Sequence, residues 1–243
     1  HIVYGFTNKG MCIKLEADKI NQTKFKDKGT YIHSLCSAID VNDKFVNVME
    51  LNNKDDVLLF VTKTGMVKLS KVEEYFASKQ AIASIKLKDG DEVVYVGINN
   101  SESKLALFTN LGLAMTTDKS DIAVSGRVSI GVKSINLQDG DYVVNAMQVN
   151  KSDSFVVIDS DNGAKLLKYD AIPESARNRK GTRIITNGVI LLADVYNPNV
   201  SYVYVNSDGS LKFVANKTIT LPEKTTKTKK TTKMLGLTNA YKY

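Results

Sequence analysis

Hydrophobic and polar positions along this chain fall into short apolar runs broken by glycine turns, and five of these runs line up. They are YGFTNKGMCIKL, LLFVTKTGMVKL, LALFTNLGLAMT, VVIDSDNGAKLL and YVYVNSDGSLKF, with turn glycines Gly10, Gly65, Gly112, Gly163 and Gly209 spaced 55, 47, 51 and 46 residues apart. Each reads as two strands joined by a polar turn, and the glycine supplies the positive φ that closes a β-hairpin. A second landmark follows each of the first four: AIDVNDKFVNVM at 38–49, SIKLKDGDEVVYVG at 84–97, SINLQDGDYVVNAM at 134–147 and RIITNGVILLADV at 183–195. The pattern predicts two hairpins per period and an all-β, propeller-like array of about five four-stranded blades, near 1–51, 52–99, 100–150, 151–199 and 200–221.

The pattern breaks after Leu221 and Pro222, where EKTTKTKKTTK has five lysines, one glutamate and no apolar residue. Residues 222–243 are therefore expected to form a basic, flexible tail, although the final MLGLTNAYKY could dock back as a strand. Charge follows the same division. The net charge is +7, yet residues 1–199 hold 25 Lys/Arg against 24 Asp/Glu and residues 200–243 hold 8 against 2. A polyanion partner thus requires the fold to sort charges onto one surface, because bulk charge of the body would not attract it.

Candidate chemistry is sparse. Two cysteines, Cys12 and Cys36, read as small core residues in a reducing compartment. His1 and His33 are too few and too scattered for a metal site or a catalytic triad. No apolar run is long enough to cross a bilayer and the first residues lack the zones of a signal peptide, so a soluble cytoplasmic protein is the default expectation. The missing initiator Met, with a strand pattern already under way at Ile2, suggests a fragment of a longer polypeptide.

Between the landmarks of each period lie more polar stretches, 17–31, 70–81, 117–131 and 169–182, several of which gather basic residues. Lys24, Lys26 and Lys28 cluster in the first, and SARNRKGTRI brings Arg177, Arg179, Lys180 and Arg183 together with no intervening acid. Recurrence at one topological position would put such loops on one rim of a radial array.

WD and kelch propellers are poor fits, since the chain has no Trp. DDVLLFVTKTGMVKLSKVEEY at 55–75, IASIKLKDGDEVVYV at 82–96 and GRVSIGVKSINLQDGDYVV at 126–144 instead resemble the C-terminal β-pinwheel domain of the A subunits of bacterial type IIA topoisomerases, gyrase and topoisomerase IV. The Q-R-R-G-G-K-G box of gyrase is absent, its nearest echo being ARNRKGTR at 176–183. FTNKG at 6–10 and KFKDKGTY at 24–31 look like the second blade of topoisomerase IV from Gram-positive bacteria, which favours that branch over gyrase and implies that a first blade precedes His1.

The resemblance implies sequence-independent duplex DNA binding and bending that positions a transported segment for ATP-dependent strand passage, decatenation and relaxation. It also implies a catalytic Tyr outside this chain, no cofactor within it, and ATP and Mg bound elsewhere in a heterotetramer. The partners would be double-stranded DNA, the N-terminal cleavage region and the B (ATPase) subunit, with no small-molecule substrate. The location would be cytoplasmic and nucleoid-associated, with a peripheral position at the inner face of the membrane also open. Candidate DNA-binding residues are Lys24, Lys26, Lys28, Lys63, Lys68, Lys71, Arg127, Lys133, Arg177, Arg179, Lys180 and Arg183. The alternatives are a gyrase DNA-wrapping domain and a protein-interaction propeller.

Overall fold

The computed structural model describes residues 1–24, 29–161, 163–206, 211–215, 229–230 and 237–242. In chain order its strands are β1 (Ile2–Thr7), β2 (Met11–Glu16), β3 (Phe45–Met49), β4 (Val57–Thr62), β5 (Met66–Lys71), β6 (Ala81–Ala83), β7 (Val93–Ile98), β8 (Lys104–Thr109), β9 (Leu113–Thr117) and β10 (Val132–Lys133). They continue as β11 (Val143–Val149), β12 (Ser154–Asp159), β13 (Gly163–Lys168), β14 (Thr182–Arg183), β15 (Ile190–Val195), β16 (Ser201–Asn206), β17 (Leu211–Ala215), β18 (Lys229–Lys230) and β19 (Leu237–Lys242). The one α-helix among the described residues is a single turn, α1 (Ile32–Leu35).

All five expected hairpins form: β1–β2, β4–β5, β8–β9, β12–β13 and β16–β17. The first four share a cap that explains their sequences. The side-chain oxygen of Thr7, Thr62, Thr109 or Asp159 accepts the backbone N–H four residues on, at Met11, Met66, Leu113 or Gly163. Each turn thereby satisfies an amide that the hairpin ladder leaves over.

The second landmark of each period is a turn, as Gly90 and Gly140 at φ 74° show, but it does not close a hairpin. In the second, third and fourth periods its two strands join different sheets, and in the first only β3 forms. Four sheets have the orders β3-β1-β2-β6, β10-β5-β4-β7, β11-β8-β9-β14 and β15-β12-β13-β18. Every one takes three strands from its own period and a short fourth strand from the next. The free edge of each hairpin needs a ladder partner, and the following period supplies two or three residues of it.

Of the expected tail, 222–243, only residues 229–230 and 237–242 lie among the described residues, and both take part in sheets. Lys229 and Lys230 pair with Ala164 and Gly163 as the fourth strand of the fourth sheet. Leu237–Lys242 pairs with β16, making the fifth sheet β17-β16-β19. In both pieces an open β edge supplies the backbone hydrogen bonds.

The chain divides into two compact units, His1–Asn99 with Asp121–Val132, and Asn100–Ser120 with Lys133–Tyr243. In the first, Tyr4, Phe6, Leu58, Phe60, Val72 and Tyr75 form the core, with Phe6 edge-on to Phe60 and to Tyr75 at 5.8 Å. In the second, Phe108, Phe155, Val157, Tyr169 and Ile190 do so, with the two phenylalanine rings 5.3 Å apart. Buried aromatics of this kind contribute about 2–3 kcal/mol each by area and further stability from ring geometry.

Candidate functional site

The segments that carry the exchanged strands are free of acid: 76–88, 122–138 and 175–193 contain no Asp or Glu. They run over the second strand of the preceding hairpin and are fastened there by basic side chains donating to backbone carbonyls.

In the first unit, the Lys68 ammonium donates to the Ser84 carbonyl at 2.8 Å and to the Arg127 carbonyl. It also lies 5.0 Å from the centre of the Phe60 ring. Burial lowers its pKa to about 8, with Glu74 opposing that shift and Arg127 adding to it. Arg127 in turn donates through Nη1 to the Ala83 carbonyl, while its backbone N–H donates to the Glu74 carboxylate at 2.5 Å. Gly131, at φ 85°, lies so close to the Val67 carbonyl that no side chain fits there.

The second unit repeats the device with different side chains. Arg177 Nη1 donates to the Lys133 carbonyl at 2.8 Å, the same 44-residue reach as from Arg127 to Ala83. The 176–179 backbone is bound along 134–136, through Asn178 N–H to the Ser134 carbonyl and Asn136 N–H to the Arg179 carbonyl. Arg183 Nη1 donates to the Leu111 carbonyl at 3.0 Å. Lys165, fully buried, donates to the Ile184 carbonyl, as Lys68 does to Ser84.

Lys133, Arg179, Lys180 and Arg183 are exposed, and Arg177 is half-buried. These five candidates lie on adjoining backbone within one unit, so the structure brings them together. Lys24 is exposed, but Lys26 and Lys28 lie outside the described residues. Lys63 faces Glu92 at 3.9 Å, where Glu92 already takes the Lys9 ammonium at 2.7 Å and is held below the usual carboxylate range chiefly by that bond. Lys71 sits 3.5 Å from Glu73, both well exposed.

Lys68 is a correction. It is 0% exposed, its charge is taken up by two carbonyls and a ring face, and it cannot present an ammonium to a ligand outside the fold. Its neighbours in strand β5 are buried on both faces, so the alternation that would place a lysine in water is missing. The equivalent hairpin positions, opposite Gly5, Leu107 and Val157, are Ile13, Met115 and Lys165. Aligning the repeats by hairpin register would have shown that this is an interior position.

Sequence reasoning misses Lys79, Lys86 and Lys88, three exposed lysines on the acid-free 76–88 segment. The backbone N–H of Lys86 donates to the Ser129 carbonyl at 3.2 Å, which sets Lys86 and Lys88 beside the Arg127 segment of the first unit. Their spacing in SIKLKDGD signals only a strand entering a turn. Among the described residues no cluster of His, Cys, Asp and Glu could hold a metal, and no helix is long and apolar enough to cross a membrane.

The family model described as DNA gyrase C-terminal domain, beta-propeller matches residues 2–52, 56–100 and 103–150. The A subunit of DNA topoisomerase 4 from Bacillus subtilis is 31% identical over 180 residues, 72% of this chain and 22% of that protein. Its counterpart from Staphylococcus epidermidis is 29% identical over 184 residues, 74% of this chain and 23% of that protein. The chain thus spans less than a quarter of these relatives. Among solved structures, the C-terminal domain of DNA topoisomerase IV superposes with a TM-score of 0.89 at 23% identity, covering 99% of this chain and 78% of that one. The DNA gyrase A C-terminal domain follows at 0.73 and 19%, covering 100% of this chain and 82% of that one.

Proposed function

This chain belongs to the family of DNA gyrase C-terminal β-propeller domains, and from that membership we propose that it binds and bends double-stranded DNA without reading its sequence. The observation that carries the reading is the acid-free exchanged segments, whose exposed cations stand on backbone already fastened to the fold. A guanidinium held at one nitrogen by a carbonyl, as in Arg177, loses little freedom when another edge meets a phosphate. Contacts of this kind fix position on the duplex and carry no base information.

The proposed set is Lys24, Lys26 and Lys28; Lys63 and Lys71; Lys79, Lys86 and Lys88; Arg127 and Lys133; and Arg177, Arg179, Lys180 and Arg183. In the longer polypeptide this domain would hold the transported DNA segment for ATP-dependent strand passage, with the catalytic Tyr and the ATPase subunit outside the present chain. Bending a 20–30 base-pair stretch costs on the order of 1–6 kcal/mol, which several phosphate contacts offset.

Duplex binding measured across a salt series tests the reading. The expected log–log slope is steep, falling by about 0.9 for each phosphate contact removed by substitution. A flat salt dependence, or affinity unchanged when Arg177, Arg179, Lys180 and Arg183 all become Glu in a folded protein, would remove it. A protein-binding reading draws on Val124, Val128 and Val132, which are exposed on the first unit's segment. It predicts a specific protein complex with no response to duplex DNA.

A further inference from the structure

Residues 125–129 form a braced arch over strand β5. Ser125 N–H donates to the Leu69 carbonyl at 2.8 Å, Lys86 N–H donates to the Ser129 carbonyl at 3.2 Å, and the Ser125 and Ser129 hydroxyls meet at 2.7 Å. At the crown, Ser129 N–H donates to the Gly126 carbonyl at 3.1 Å, which makes Arg127 and Val128 the central pair of a β-turn. Arg127 is tied to the fold on three sides: its carbonyl takes the Lys68 ammonium, its N–H donates to Glu74 and its guanidinium reaches the Ala83 carbonyl. Val128, beside it, is 54% exposed.

The same place in 176–183 is held by Asn178, also exposed, so the first turn presents an apolar side chain where the second presents a polar one. Its setting is cationic. Lys86 and Lys88 lie alongside on a segment without acid, Lys133 follows five residues on, and the nearby Glu74 carboxylate is engaged by the Arg127 N–H. A protein interface is depleted of charge at its apolar centre. A stiffly held apolar side chain flanked by cations is instead the arrangement that enters a duplex between stacked bases, with the charges on the neighbouring phosphates.

We infer that Val128 is a wedge that enters one base step of the bound duplex and kinks it there. The inference rests on the DNA-binding reading above and adds to it a preference for steps that unstack easily, such as pyrimidine–purine steps and mismatches, with no base edge read. Phosphate contacts set how tightly the duplex is held, and the wedge sets where its bend falls. The braced turn matters because a mobile loop would fold the valine back instead of driving it into the stack.

Two short duplexes of one sequence test it, one fully paired and one with a central T·T mismatch beside a 2-aminopurine. The protein should bind the mismatched duplex about tenfold more tightly, because the mismatch removes much of the cost of unstacking, and the 2-aminopurine fluorescence should rise on binding. Val128→Ser, at an exposed turn position, should lose the preference and the rise while keeping the salt slope, and Val128→Leu should keep all three. Arg177, Arg179, Lys180 and Arg183 changed to Glu should weaken binding to both duplexes alike and leave their ratio unchanged. Equal affinity for the two duplexes, or a preference that survives Val128→Ser, would overturn the wedge and leave the DNA-binding reading in place. Failure to bind either duplex would overturn both.

Discussion

Residues 126–133 and 176–183 perform one backbone task with different side chains. Both place an arginine Nη1 on a carbonyl 44 residues back, and both end in a short strand on the preceding hairpin. The first is GRVSIGVK, pinned from beneath by Lys68 and exposing Val124, Val128 and Val132 nearby. The second is ARNRKGTR, with Asn178 in the left-handed region at φ 58° and four cations, Arg177, Arg179, Lys180 and Arg183, set among the neutral residues Ala, Asn, Gly and Thr. The backbone fastening is the common part, and the outward chemistry is free to vary upon it. Stability should therefore answer to both segments and phosphate affinity chiefly to the second.

The largest expected effect is on folding. Gly131→Ala places a Cβ in the left-handed region and against the Val67 carbonyl, and should cost about 2–4 kcal/mol in chemical denaturation. Gly181→Ala meets a 3.0 Å contact without a positive φ and should cost about 1 kcal/mol or less. Equal losses would show that the two segments are held alike.

Next comes affinity. Arg177, Arg179, Lys180 and Arg183 changed together to Glu should weaken duplex binding by about 100-fold at moderate salt and lower the salt slope by about 3–4, with a loss of stability of about 1–2 kcal/mol because Arg177 and Arg183 also hold the Lys133 and Leu111 carbonyls. Gel-shift or anisotropy titrations read both numbers. The same treatment of Arg127 and Lys133 should cost stability as well, because the Arg127 guanidinium holds the Ala83 carbonyl.

A third test is pH. Burial lowers the Lys68 ammonium from its ordinary value of 10.5 to about 8, so between those values the folded state holds fewer protons than the unfolded chain. The wild-type protein should accordingly gain stability relative to Lys68→Met as pH rises from about 8 to 10.5, and should show no such relative gain below 7. Denaturant midpoints across that range decide it.

The smallest effect falls on 76–88. Lys86→Ala with Lys88→Ala should reduce affinity by about threefold and leave stability within about 0.5 kcal/mol, since both side chains are exposed.

The hairpins were legible because their signal is local: a polar turn, a Thr or Asp four residues ahead of the closing amide, and apolar strands on either side. The exchange of strands was not. SIKLKDGDEVVYV has every mark of a hairpin, and what separates its strands is the free edge of another hairpin, which no local window contains. Lys68 failed for a related reason. Its charge suggests water, while its position opposite Phe60, between Val67 and Leu69, belongs to a strand covered on both faces. In the candidate site, the ARNRKGTR cluster was plain from composition, but that its arginines also fasten the backbone follows only from the fold.

Strand exchange has a consequence for how such arrays lengthen, shorten or fail. A cut at any period boundary robs the upstream neighbour of its fourth strand and strands a donor downstream, so damage at one joint is felt by two sheets. Natural gain or loss of a period must remove hairpin and donor out of phase with the visible repeat, by half a step. Unravelling from an end should proceed as in a zip fastener, with each released tooth loosening the one before it.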